Sequence, residues 1–74
     1  MNYEYADAYL EVMCSRYLTN EPVLRRIKKS IIKTITQYEG EDGKPYVGIW
    51  IEGDTYYVYG TMEDFEKNSK TVFI

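Results

Sequence analysis

A chain of 74 residues with a formal net charge of −3, one cysteine and no histidine has room for one small domain, residues 1–74, whose core offsets chain entropy only narrowly. It lacks the side chain most used for proton transfer near neutral pH and for holding transition metals. The lone Cys14 closes no intrachain disulfide and points to a reducing, cytoplasmic compartment. The start, MNYEYADAYLE, is acidic without the apolar core of a signal peptide, and no run approaches the ~20 apolar residues of a membrane span.

In chain order, Tyr3 to Leu18 reads as a helix, because Ala6, Tyr9, Leu10, Met13 and Tyr17 recur at helical spacing. Glu4, Asp7 and Glu11 precede Arg16, the order a helix dipole favours. Thr19-Asn20 ends that helix, and Asn20 caps a second with Glu21 and Pro22 in its first turn. Leu24, Ile27, Ile31, Ile35 and Tyr38 keep helical spacing, whereas the β-branched run Ile31, Ile32, Thr34, Ile35, Thr36 favours a strand. The switch is placed near Ser30; the alternative is a helix continuing to Tyr38.

Next come two hairpins. Asp42-Gly43 folds Ile31–Glu39 back on Tyr46–Glu52, and Gly53-Asp54 folds Tyr46–Glu52 back on Thr55–Tyr59. Counting outward from the turns sets Tyr38 opposite Val47, Ile35 opposite Trp50, Lys33 opposite Glu52, Glu41 opposite Lys44, Ile51 opposite Tyr56 and Ile49 opposite Val58. One face then carries Ile32, Tyr38, Val47, Ile49, Ile51, Tyr56 and Val58 with Thr34 and Thr36. The other carries Tyr46, Trp50, Tyr57 and Tyr59 with Ile31, Ile35, Lys33, Gln37, Glu39 and Glu52. Thr61 caps a short helix that buries Met62 and Phe65, and Lys70–Ile74 forms a last strand. The expected fold is α+β, ordered ααβββαβ, with two amino-terminal helices packed on the aliphatic face of a three-stranded antiparallel meander.

The residues offer little chemistry. Cys14 has no histidine base and reads as a packed side chain. The carboxylates Glu39, Glu41, Asp42, Glu52, Asp54, Glu63, Asp64 and Glu66 lack calcium-loop spacing, and the glycines form neither GxxxxGK[ST] nor GxGxxG. No enzyme, metal or cofactor is therefore expected. Arg25, Arg26, Lys28 and Lys29 are a candidate nucleic-acid contact if a helix aligns them, against the plainer reading of a solvated helix back in an acidic chain.

The stronger candidate is a partner-binding set of Tyr46, Trp50, Tyr57 and Tyr59 with Glu52 and Asp54 at the turn. Its alternative is an aromatic ladder that only stiffens the sheet. The acids disfavour a nucleic-acid backbone and favour a protein partner. Without a family motif, the chain resembles in general character the small phage-encoded inhibitors of bacterial defence, the anti-CRISPR proteins. The matching features are Glu39, Glu41, Asp42, Glu52 and Asp54 with Tyr57 and Tyr59. That resemblance implies stoichiometric occupation of a nucleic-acid-binding surface on a defence effector, and it assigns no residue roles. The alternatives are a nucleic-acid-binding regulator and a self-associating structural protein, monomer and homodimer both being open.

Overall fold

The computed structural model describes residues 8–18 and 21–73, and in these the chain is mostly β. Strands β1 (Ala8–Cys14), β2 (Val23–Lys28), β3 (Ile32–Glu39), β4 (Pro45–Ile51) and β5 (Asp54–Tyr59) are followed by helix α1 (Met62–Asn68) and strand β6 (Lys70–Phe73). They form two antiparallel sheets, β2-β1-β6 and β3-β4-β5. The expected α+β fold with two amino-terminal helices is thus overturned. β1 occupies the middle of the first expected helix and β2 the second, while among the described residues only the 3-10 turn Lys29–Ile31 is helical there. Expectations for Tyr3, Ala6, Asn20 and Ile74 lie outside the described residues.

The physical reason is a period-two pattern masked by apolar residues on its outer face. In β1, Ala8, Leu10, Val12 and Cys14 are buried, while Tyr9 and Met13 point the other way with Glu11. Because both sets include apolar side chains, the same seven residues also satisfy helical spacing. β2 departs further from the usual pattern. Its register against β1 turns Ile27 and Arg25 inward and the 62% exposed Leu24 outward. Arg25 lies inside because an aromatic receives it: its guanidinium carbon sits 5.0 Å above the Tyr56 ring.

The inner faces of the sheets share one core of Leu10, Val12, Cys14, Ile27, Val47, Ile49 and Phe65, with Ile32, Ile35, Ile51, Tyr56, Val58 and Met62 packed around it. Full burial of a side chain such as Ile49 contributes about 1.5–3 kcal/mol. α1 follows the expectation for Thr61: its hydroxyl accepts from the Asp64 N–H at 3.1 Å, the Asp64 carboxylate accepts from the Thr61 N–H at 3.1 Å, and Phe65 is buried. Such a reciprocal cap satisfies two amides that the helix leaves unpaired.

Both hairpins form, in registers other than those counted from the turns. Between β4 and β5 the loop is Glu52-Gly53, with Ile51 opposite Asp54 and Ile49 opposite Tyr56. Gly53 takes the second loop position at φ 76°, and Asp54 joins the strand, its Oδ1 accepting from the Thr55 N–H at 2.8 Å. Each partner moves by two residues, so every side chain keeps its face. Between β3 and β4 the loop spans Gly40 to Lys44, closed by Gly40 N–H to Lys44 O at 2.8 Å and Gly43 N–H to Gly40 O at 2.9 Å.

Here Tyr38 meets Tyr46, Gln37 meets Val47 and Ile35 meets Ile49, a slip of one that turns the strand over. Tyr38, Thr36 and Thr34 therefore go outward and Ile35 inward, and the expected pairs Lys33–Glu52 and Glu41–Lys44 are absent from the ion pairs of the described residues. An irregularity between Ile32 and Thr34 lets Ile32 reach the core as well.

Candidate protein-binding face

The outer face of β3-β4-β5 gathers Tyr38, Tyr46, Trp50, Tyr57 and Tyr59. Four of these are sequence-predicted; Tyr38 is the addition, brought there by the one-residue slip of β3. The Tyr38 and Tyr46 rings stack with centroids 5.3 Å apart and planes 22° apart, and Tyr57 meets Tyr46 edge-on at 5.9 Å. Trp50 Nε1–H donates to the Tyr38 hydroxyl at 2.9 Å. Gly48 makes this possible: a Cβ there would stand 3.0 Å from Tyr38 Cε2 and 3.3 Å from Trp50 Nε1. With no side chain between them, the two rings close over the strand.

The aromatics divide by exposure. Tyr38, Tyr46 and Tyr57 are half-buried and brace one another, which is the stiffening role. Trp50 and Tyr59 are 40% and 58% exposed, so they offer apolar area to a partner. Tyr59 is also tied down, its hydroxyl donating to the Leu18 carbonyl. The segment after β1 runs along the edge of β5, where Ser15 and Tyr57 exchange N–H···O bonds of 2.9 and 2.7 Å and Ser15 Oγ donates to Tyr17 O at 2.8 Å.

A hollow flanks each end of the face. One, of about 430 Å³, is lined by Arg16, Tyr17, Trp50, Asp54, Thr55 and Tyr57 among others, and in it Arg16 Nη2 lies 2.6 Å from Asp54 Oδ2. The other, of about 340 Å³, lies between Tyr46 and Tyr59 and the loop residues Glu41, Asp42 and Lys44. Of the two turn acids expected to meet a partner, Glu52 is exposed at the hairpin tip and Asp54 is engaged by Arg16.

The basic set does not assemble. Arg25 points inward over Tyr56, with a buried Nε that has no hydrogen-bond partner among the described residues. Arg26 lies on the opposite face, its Nε 2.8 Å from Glu11 Oε2; Lys28 shares that face, and Lys29 sits in the 3-10 turn. The common helical face that would have aligned Arg25, Lys28 and Lys29 does not form, because alternation along a strand separates neighbours that a helix unites. Burial pushes the Cys14 thiol up to about 11, so it stays protonated near neutral pH. Among the described residues no group of three or more His, Cys, Asp or Glu side chains is placed to hold a metal ion, and no helix is long and apolar enough to cross a membrane.

Over the described residues these features define a small two-sheet β protein with one α-helix and an aromatic sheet face. No protein-family profile matches the chain, and neither a curated protein nor a solved structure does.

Proposed function

We propose that the chain is a protein-binding module that acts stoichiometrically through the outer face of β3-β4-β5. The observation that carries this reading is the exposure of Trp50 and Tyr59 on a platform already ordered by the Tyr38–Tyr46–Tyr57 stack. Large aromatics held in place before contact lose little entropy on binding, which makes them efficient anchors. The acids Glu41, Asp42, Glu52 and Asp54 at the two ends of the face suit a basic partner surface. The partner class is therefore a nucleic-acid-binding protein whose basic surface the chain occupies as an inhibitor. A bacterial defence effector is the instance that the resemblance to anti-CRISPR proteins implies.

The test is affinity capture from native-host lysate, with nuclease, comparing the parent with Trp50→Ala and Tyr59→Ala. Retention of a nucleic-acid-binding protein by the parent, its loss from both folded variants and inhibition of its nucleic-acid binding by the parent support the proposal. Equal retention by all three, with circular dichroism unchanged, removes the aromatic face as the site.

A further inference from the structure

The hollow at the hairpin end of the aromatic face holds a carboxylate that is fixed and engaged by a cation of the same chain. Asp54 Oδ1 takes the Thr55 N–H, which leaves Oδ2 aimed at the Arg16 guanidinium. Arg16 is held close by the paired Ser15–Tyr57 backbone, yet its side chain is 50% exposed, whereas that of Asp54 is 28% exposed. Among the described residues Asp54 is the one ionic partner of Arg16, and a half-exposed ion pair of this kind is weak and screened. Beside the pair lie Tyr17, Trp50 and Tyr57, with about 430 Å³ of open space. Aromatic walls around a fixed carboxylate suit a planar, delocalised cation, which can stack and hydrogen-bond together, better than a compact ammonium.

We infer that this hollow is a receptor for an arginine side chain of the partner protein, and that Arg16 is its internal placeholder, displaced when the partner's guanidinium reaches Asp54 Oδ2 between Trp50 and Tyr57. The inference rests on the reading of this face as the binding surface and names the chemistry recognised there. Exchange needs only a rotamer change of Arg16, since its backbone stays anchored through Ser15. Arg16 therefore lowers the apparent affinity by the fraction of molecules in which it occupies Asp54.

The experiment needs no partner. Acetyl-Gly-Arg-Gly-amide is titrated at constant ionic strength into the full chain, read by fluorescence of Trp50, the one tryptophan, and by the amide resonances of Gly53 and Thr55. The matched peptide with citrulline, a neutral isostere of arginine, is the control, and a lysine peptide ranks the cations. Expected are saturable changes with arginine, weaker ones with lysine and none with citrulline. Arg16→Gln should tighten arginine binding several-fold and Asp54→Asn should abolish it; asparagine keeps a side-chain oxygen for the Thr55 amide, so the turn survives. Equal responses to arginine and citrulline, or an Arg16→Gln variant that binds no tighter, overturn the inference. If the peptide arm fails while Trp50→Ala and Tyr59→Ala still lose the captured protein, the arginine receptor falls and the binding face stands. A saturable arginine response with capture unaffected by those two variants keeps the guanidinium site and removes the aromatic face as the protein-binding surface.

Discussion

The outer faces of the two sheets handle polarity in opposite ways. On β2-β1-β6 the central Glu11 is met from both neighbouring strands, by Arg26 at 2.8 Å and Lys70 at 3.4 Å, so its charge is closed within the sheet. Beside it Met13 and Leu24 lie opposite each other, 49% and 62% exposed. On β3-β4-β5 the outer face carries Thr34 and Thr36 with five aromatics, of which Tyr38, Tyr46 and Tyr57 pack on one another, and the acids sit at the ends of the face, where Asp54 alone is ion-paired among the described residues. The first face thus pairs its central charge within the sheet and leaves two apolar side chains exposed beside it. The second combines ordered rings with exposed aromatic area and, at its ends, acids of which Glu41 and Glu52 have no ion-pair partner among the described residues, a combination that favours contact with another molecule.

The sharpest way to break this contrast is through the core both sheets share. Leu10→Ala, from the first sheet, and Ile49→Ala, from the second, should each cost about 2–5 kcal/mol and leave one cooperative transition in urea. Two transitions would show that the sheets are separate units, and the comparison would then be between domains. Next in size, Trp50→Ala should cost about 2 kcal/mol or more in partner affinity, whereas Leu24→Ala, an equally apolar exposed site on the other face, should leave affinity unchanged; titration calorimetry on the captured partner compares them. Loss of affinity with Leu24→Ala instead would make the outer face of β2-β1-β6 the binding surface.

Smaller effects sharpen the same comparison. Thr61→Ala removes the hydroxyl that caps α1 and should cost about 1 kcal/mol in chemical denaturation without altering either outer face. Glu11 tests the ion pairing of the first face by pH. The Arg26 side chain, hydrogen-bonded to it, is the main cause that holds its carboxyl below the ordinary carboxylate range. A group whose pKa is depressed by folding stabilises above its unfolded value and loses that contribution as pH falls through its folded value. Glu11→Gln should therefore flatten the acid side of the stability profile. A residual slope is expected from Asp64, held low chiefly by the Thr61 backbone N–H, and Asp64→Asn in the Glu11→Gln background should remove it.

From β3 onward the kind and order of the elements were readable in the sequence, but not the registers of the two hairpins. Two β-rich runs around Gly53, the β-branched run before Glu39, the Thr61 cap and the terminal strand are local signals, set by turn chemistry and side-chain sterics over a few residues. The aromatic set on β4 and β5 was legible because a slip of two residues preserves faces. Tyr38 was not, because a five-residue loop where two were counted reverses its strand, and only the packing of Ile35 into the shared core selects that parity, the irregularity after Ile32 keeping that residue inward as well.

The first two strands depended on tertiary structure altogether. AYLEVMC and VLRRIK satisfy helical and strand spacing alike, since Tyr9, Met13 and Leu24 put apolar groups on the outward side and Arg25 puts a charge inward. What decides between the two periods is the partner: β1 pairs with β2 and β6, lays Leu10, Val12 and Cys14 against Val47 and Ile49, and brings Arg25 over Tyr56 from the second sheet. A helix over the same residues would keep Leu10 and Cys14 on one face but turn Val12 to the opposite side, and part of the burial that stabilises a domain this small would be lost.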